Sequence, residues 1–388
     1  MKCISSKKKI ICILFAFSFC FFTIITVSAQ QAEGEQEIFD EFSQLAVPLG
    51  LDEAAEALPQ ETYDQLKESG LDPQKPHTFL SASSESAVVL VWNAVKECFT
   101  APLAVLTSLF VLIILTSVSR SIIAMSSPME ELYSCITAMV VCAVLVLPLS
   151  ECITRVCTAM DAVGIFLNAF VPIYCTALAL AGHTLRAAGY QSLLLIVSQI
   201  ITMLSHRVFS PLCGMMVAVN ISSGVSKTVN GKGFAAGISK TVKWCLGFSM
   251  MLFSGVLSLN TASAGAADSL ALRTGKFVIG SSVPVIGSFV SESYTAVRAS
   301  LGVLRTGIGI YGVFAVLLLL VPVFTEVLLY RLVLSIASII SDLFGLNDLS
   351  DVFSAVGDTA SVMLSLIITL FLMFIISLSI VVTFGGIV

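Results

Sequence analysis

TASVMLSLIITLFLMFIISLSIVVTFGGIV, residues 359–388, runs for thirty positions without a charged side chain. A helix rises about 1.5 Å per residue and a hydrocarbon core is about 30 Å thick, so about 20 apolar residues cross it. This stretch is therefore read as a membrane span. Upstream, charge-free runs occupy residues 99–119, 132–150, 162–185, 187–205, 208–226, 244–267, 277–291 and 306–325, with a shorter one at 332–341. Runs 277–291 and 332–341 are too short or too rich in Gly and Ser for full crossings and read as half-spans or re-entrant segments. The pattern predicts an all-α, polytopic membrane protein with about eight spans.

Composition agrees. The 388 residues are 57% hydrophobic and 12% charged, with a mean hydropathy of +0.98, whereas a soluble domain has about 25% charged residues. A water-soluble core has no room for so much apolar surface, and a lipid bilayer has. No basic cluster with interleaved aromatics is present, so nucleic acid is not an expected partner.

The N-terminus has the form of an export signal. Lys2, Lys7, Lys8 and Lys9 precede an apolar stretch from Ile10 to Ile25, and Val27-Ser28-Ala29 places small residues before a cut between Ala29 and Gln30. The expected organisation is a signal peptide (1–29), an acidic extracytoplasmic segment (30–97) and a multi-span domain (98–388). Residues 30–97 hold 14 acidic side chains against three lysines, while residues 98–388 hold 11 acidic and 13 basic ones. Within the acidic segment Phe39, Phe42 and Leu45 recur at helical spacing, and Asp72-Pro73-Gln74-Lys75-Pro76 reads as a linker. So few apolar positions would make a marginal domain, and short helices docked on partners or on the membrane surface are expected.

Loop charge orders the spans, because Lys and Arg concentrate on the cytoplasmic side. With Gln30 outside, Arg120, Arg186 and the group Lys227, Lys232, Lys240 and Lys243 are expected inside. That requires a tight hairpin where His206-Arg207 interrupts residues 190–226. Asp342, Asp348, Asp351 and Asp358, with no Lys or Arg among them, suggest an outer loop and a cytoplasmic C-terminus.

The inventory for chemistry is sparse. Gly231-Lys232-Gly233 lacks the upstream glycine and following hydroxyl of a phosphate loop. His77, His183 and His206 have no Cys or carboxylate at ligand spacing, and neither a Gly-x-Ser-x-Gly elbow nor a His-Glu-x-x-His pair occurs. The eight cysteines beyond the leader lie mostly in apolar runs, where a free thiol packs as a small hydrophobe. No enzyme, cofactor or metal is expected. Glu326 and Arg331, near a span end, are expected to reach the interface. Asp268, Arg273, Lys276 and Glu292 bracket the Gly/Ser/Pro-rich run 277–291, and form the candidate polar loop or subunit contact. Tyr294, Val297, Leu301 and Leu304 recur on one helical stripe, read as a helix in the interface or packed on the bundle.

AGAADSLALRTGKF (residues 264–277) followed by Val283-Pro284-Val285-Ile286-Gly287 closely resembles the stage III sporulation protein AE family. The order of signal peptide, polar outer segment and multi-span body matches as well. The resemblance implies an endospore former, with the chain in the mother-cell membrane facing the forespore. It further implies a multi-subunit channel or secretion-like assembly that sustains late forespore development. Other membrane subunits and a separate ATPase would be its partners, alongside the lipid bilayer. The family brings no catalytic residues. The alternative reading is a stand-alone transporter with a midplane site formed by broken helices.

Overall fold

The structure, a computed structural model, describes residues 50–68, 71, 84–123, 127–225, 231–282 and 287–385. The leader with its Ala29–Gln30 cut, the helix expected around Phe39–Leu45 and the linker at 72–76 lie outside the described residues. Among the described residues every regular element is helical. Short helices α1 (Leu51–Glu56), α2 (Gln60–Glu68) and α3 (Ser84–Val95) lead through a 3-10 turn, Lys96–Phe99, into α4 (Thr100–Ile123). Then come α5 (Ser127–Leu180), α6 (Thr184–Leu204), a π turn at Ser205–Phe209, α7 (Ser210–Val225), α8 (Gly231–Ser282), α9 (Gly287–Leu343) and α10 (Asn347–Gly385).

Six helical segments are long and apolar enough to cross a membrane: Val89–Arg120, Met139–Leu180, Thr184–Asn220, Ala235–Ala271, Arg305–Leu343 and Asn347–Ser379. Against the eight or so expected, six such segments occur among the described residues, because charged residues taken as span ends sit inside continuous helices. Run 132–150 and residues 162–180 of the next run are both parts of α5, which carries Glu151, Arg155 and Asp161 between them. Runs 306–325 and 332–341 are likewise joined in α9 across Glu326 and Arg331. The hairpin expected at His206-Arg207 is also overturned, since the backbone stays helical through the π turn. A π turn adds one residue to a turn and bends the helix without reversing it. Arg186 and Val225 therefore stand at opposite ends of one continuous helical stretch. Run 277–291 is no separate element either, for 277–282 end α8 and 287–291 begin α9.

Two helix reversals close on glycine. At Gly182 (φ 88°) the N–H of His183 reaches the Leu178 carbonyl at 3.1 Å and that of Gly182 reaches Ala179 at 2.9 Å. At Gly345 (φ 71°) Leu346 and Gly345 donate to Ser341 and Asp342 in the same pattern. The left-handed glycine satisfies the last carbonyls of one helix and turns the chain into the next.

The core is aromatic and lies where α5, α9 and α10 meet. Phe170 stacks on Phe166 and Tyr174, with ring centroids 5.2 and 5.7 Å away, and meets Tyr311 and Phe374 edge-on. Gly312 of α9 lies under the Phe170 ring, where a Cβ would collide with it. Polar cross-links fix the register of the helices. Tyr190 and Ser377 share a hydrogen bond of 2.7 Å, Ser198 donates to the Gly164 carbonyl, and Asn220 donates to the Ala355 carbonyl at 2.8 Å.

The acidic segment docks on the chain's own bundle rather than only on partners or lipid. Leu51, Ala54, Leu58 and Leu66 are buried in the common core, while Glu53, Glu56, Glu61 and Glu68 are exposed. Helix α1 packs on α5 and α2 on α9.

Candidate functional site: charged groups inside the bundle

Asp268, Arg273 and Lys276 lie on α8 and Glu292 lies on α9. Asp268 lies on α8 and is 2% exposed, turned into the bundle. Its Oδ1 accepts the N–H of Leu185 at 3.0 Å and its Oδ2 that of Arg186 at 3.2 Å. These are among the first N–H groups of α6, which have no partner within their own helix. A carboxylate there satisfies them and meets the positive end of the helix dipole. Asp268 is thus a cap supplied from another helix, a role that its position beside a Gly/Ser-rich run concealed. Arg273 is exposed on α8. Lys276 and Glu292 occupy helical backbone in α8 and α9, and their side chains lie outside the described residues, as do those of Tyr294, Val297 and Leu304.

Replacing Asp268 with alanine is expected to cost about 1–2 kcal/mol, the usual worth of a helix cap. Asn, which keeps an acceptor but loses the charge, should cost less. Thermal unfolding followed by thiol-reactive dye on the buried cysteines Cys142, Cys152, Cys157, Cys175 and Cys213 would read both; equal loss in the two variants would refute the capping role.

The bundle instead brings together charges that sequence reading kept apart. Arg155 Nη1 of α5 donates to both carboxylate oxygens of Glu326 on α9 at 3.1 Å. The Glu326 side chain is 6% exposed and that of Arg155 is 56% exposed. One turn further along α9, Arg331 pairs with Asp358 of α10 at 3.5 Å. Glu326 and Arg331 therefore do not simply reach the interface, as expected above; each has a partner on a neighbouring helix. Opposite charges in the middle of two apolar helices are the only sequence signal for such a pair, and the 171 residues between Arg155 and Glu326 hid it.

Around this level Cys98 lies within electrostatic reach of Glu326, Arg155 and Glu61. Cys213 lies near Cys157 and Cys152. Cys98, Cys152, Cys157 and Cys213 are not in disulfides, and among the described residues no group of three or more His, Cys, Asp or Glu is placed to hold a metal ion. The arrangement can lock helices to one another.

A sequence profile of the stage III sporulation protein AE family matches residues 80–385. The stage III sporulation protein AE of Bacillus subtilis (strain 168) is 24% identical over 229 residues, which make up 59% of this chain and 57% of that protein. The match thus spans a little over half the length of this curated relative. No solved structure matches the chain.

Proposed function

The chain belongs to the stage III sporulation protein AE family, and from that premise we propose that it is a non-enzymatic membrane subunit of a sporulation complex. In this reading it sits in the mother-cell membrane facing the forespore, with the acidic segment outside the cytoplasm. It contributes to a channel or secretion-like conduit that late forespore development requires. Energy comes from a separate ATPase subunit, and the other partners are further membrane proteins of the same assembly. The observation that carries the reading is the family match over residues 80–385. The use of buried charges as helix-to-helix pairs and caps supports a structural rather than a catalytic role.

Affinity capture of the tagged full-length chain from detergent-solubilised sporulating cells is the test. Recovery of the ATPase and other membrane subunits is expected; recovery of the chain alone would count against a complex and favour the stand-alone transporter. Arg273→Glu, on an exposed stretch of α8, is expected to lower spore yield at unchanged protein level. Normal yield would remove this surface from the subunit contacts.

A further inference from the structure

Among the described residues Arg186, Asp268, Arg305 and Glu326 are the buried charged side chains. Three of them are accounted for. Glu326 is held by Arg155, and Asp268 by two backbone N–H groups. Arg186 lies against Gly265 of α8, where a Cβ would collide with its guanidinium. Arg305 is the exception. It is 6% exposed, its Nε is buried without a hydrogen-bond partner, and no carboxylate among the described residues pairs with it.

The register of α5 against α9 fixes where Arg305 stands. The two helices run antiparallel, with Arg155 meeting Glu326, Phe170 meeting Gly312 and Tyr174 meeting Gly309. Arg305 comes one turn before Gly309 along α9 and is therefore level with the last turn of α5, residues 177–180. Tyr174 lies directly on α9, for a Cβ at Gly309 would stand 3.4 Å from its Cε2 and 3.9 Å from its hydroxyl. It is within electrostatic reach of Arg305. The Tyr174 hydroxyl is also buried without a hydrogen-bond partner, whereas that of Tyr190, whose ring it touches, is bonded to Ser377. Two donors on adjacent helices thus stand near each other, bonded neither to one another nor to a described acceptor.

A guanidinium stays protonated at any ordinary pH, so burial does not neutralise it as it can a lysine. Burying it without an anion costs more than a single hydrogen bond returns. The negative end of the α5 dipole compensates only in part, with about half a charge. Water between the two donors would satisfy their hydrogen bonds and leave the charge unbalanced. An oxyanion does both, and phosphate oxygens accept readily from guanidinium and phenol.

Charge-free sequence also ends at this level. Run 306–325 starts directly after Arg305, run 187–205 directly after Arg186, and run 244–267 stops before Asp268. Asp268 bonds the N–H of Arg186, and the reversal at Gly182 joins the end of α5 to the start of α6, so the three run ends coincide. Run 306–325 is about 30 Å long, the thickness of the hydrocarbon core, and the headgroup layer lies just outside that core. Phosphate is the prevailing anion of that layer. Access exists on the same side: a helical side chain leans back over the preceding turn, and there a Cβ at Gly302 would meet no described atom within 4 Å.

We propose that Arg305 and Tyr174 form a binding site for a phosphate oxyanion, with the headgroup of an anionic phospholipid as the source that its depth favours. Arg305 balances the charge and donates to the phosphate oxygens, and Tyr174 donates one further hydrogen bond. The bound headgroup ties α5 to α9 at one end of run 306–325, as Arg155–Glu326 ties them at the other.

The test uses the purified full-length chain, stripped of lipid in a non-ionic detergent, with unfolding temperature as the readout. Phosphatidylglycerol is titrated in one arm and inorganic phosphate in the other. A saturable rise with the lipid at far lower concentration than with phosphate supports the headgroup; an equal response to free phosphate would assign the same site to a soluble anion. No rise in either arm overturns the site. Arg305→Gln should weaken the apparent lipid affinity about a hundredfold and Tyr174→Phe about tenfold, as loss of bonds to a charged group predicts. An undiminished response in Arg305→Gln would sink the proposal. So would an equal loss with Arg273→Gln, an exposed arginine of α8, since the lipid would then answer to net charge alone. Without lipid, Arg305→Gln should unfold no lower than the unaltered chain, because an unpaired buried charge adds no stability. A clear drop there would mean that Arg305 has its partner within the fold, and the site would fall.

Discussion

Arg155→Ala is expected to destabilise the protein by about 3 kcal/mol, the lower end of what removing one partner of a buried pair costs. The low end applies because the Arg155 side chain is 56% exposed, so the bundle encloses its charge only in part. The loss is asymmetric. Without Arg155 the Glu326 side chain, 6% exposed, is left in an apolar bundle without its guanidinium partner. Without Glu326 the arginine, half exposed on the bundle surface, is free to extend along its own stem. Glu326→Gln, which retains the shape and an acceptor oxygen, should therefore cost only about 1 kcal/mol, the worth of one hydrogen bond. Joint replacement by Arg155→Leu and Glu326→Met should recover most of the Arg155→Ala loss, since a well-packed apolar pair often equals a buried ion pair. Thermal exposure of the buried cysteines in detergent reads all three variants. Equal destabilisation by Arg155→Ala and Glu326→Gln would show that the pair is not an uncompensated-charge problem, and the helix-locking role of Glu326 would fall.

The same pair explains why apolar runs expected as separate spans lie in one helix. A charge inside an apolar run marks a helix end only if it must reach water. Glu151, Arg155 and Asp161 separate runs 132–150 and 162–185, yet α5 passes through all three. The reason lies with Glu326, 171 residues away, which no local window contains. Glu326 and Arg331 misled in the same way, and so did Arg207, where a π turn absorbed the interruption as a bend. Stretches whose boundaries depend only on local composition were legible. Runs 99–119, 244–267 and 359–388 each fall largely within one helix. The acidic segment shows the converse limit. Leu51, Ala54, Leu58 and Leu66 are too few to make a core, and the bundle supplies the other half of it. Asp268 was picked out for its polarity in apolar surroundings. Its partners, two backbone N–H groups 82 and 83 residues away, have no side-chain signature in any sequence.

The second large effect is expected at Phe170. Its ring meets Phe166, Tyr174, Tyr311 and Phe374 and thereby joins α5 to α9 and α10. In a water-soluble core Phe→Ala costs about 3–5 kcal/mol, divided between transfer from water and the cavity left behind. In a bilayer the transfer part shrinks, because lipid tails are as apolar as the side chain. The cavity and lost dispersion contacts remain, so about 3 kcal/mol is expected for Phe170→Ala. Gly312 supplies the discriminating control. A Cβ at Gly312 would meet Phe170 Cε1 at 2.8 Å, and overpacking of this kind costs about 1–3 kcal/mol. The two changes should not add. With Phe170→Ala in place the obstructing ring is gone, so Gly312→Ala should become neutral or favourable as its methyl fills part of the void. A double-mutant cycle on unfolding temperature measures this coupling. Additive losses would mean that Gly312 and Phe170 do not touch as described and that the α5–α9 interface is packed differently. A compensating pair would instead show that close helix approach, set by one glycine and one ring, holds the centre of the bundle together where lipid offers no hydrophobic drive to do so.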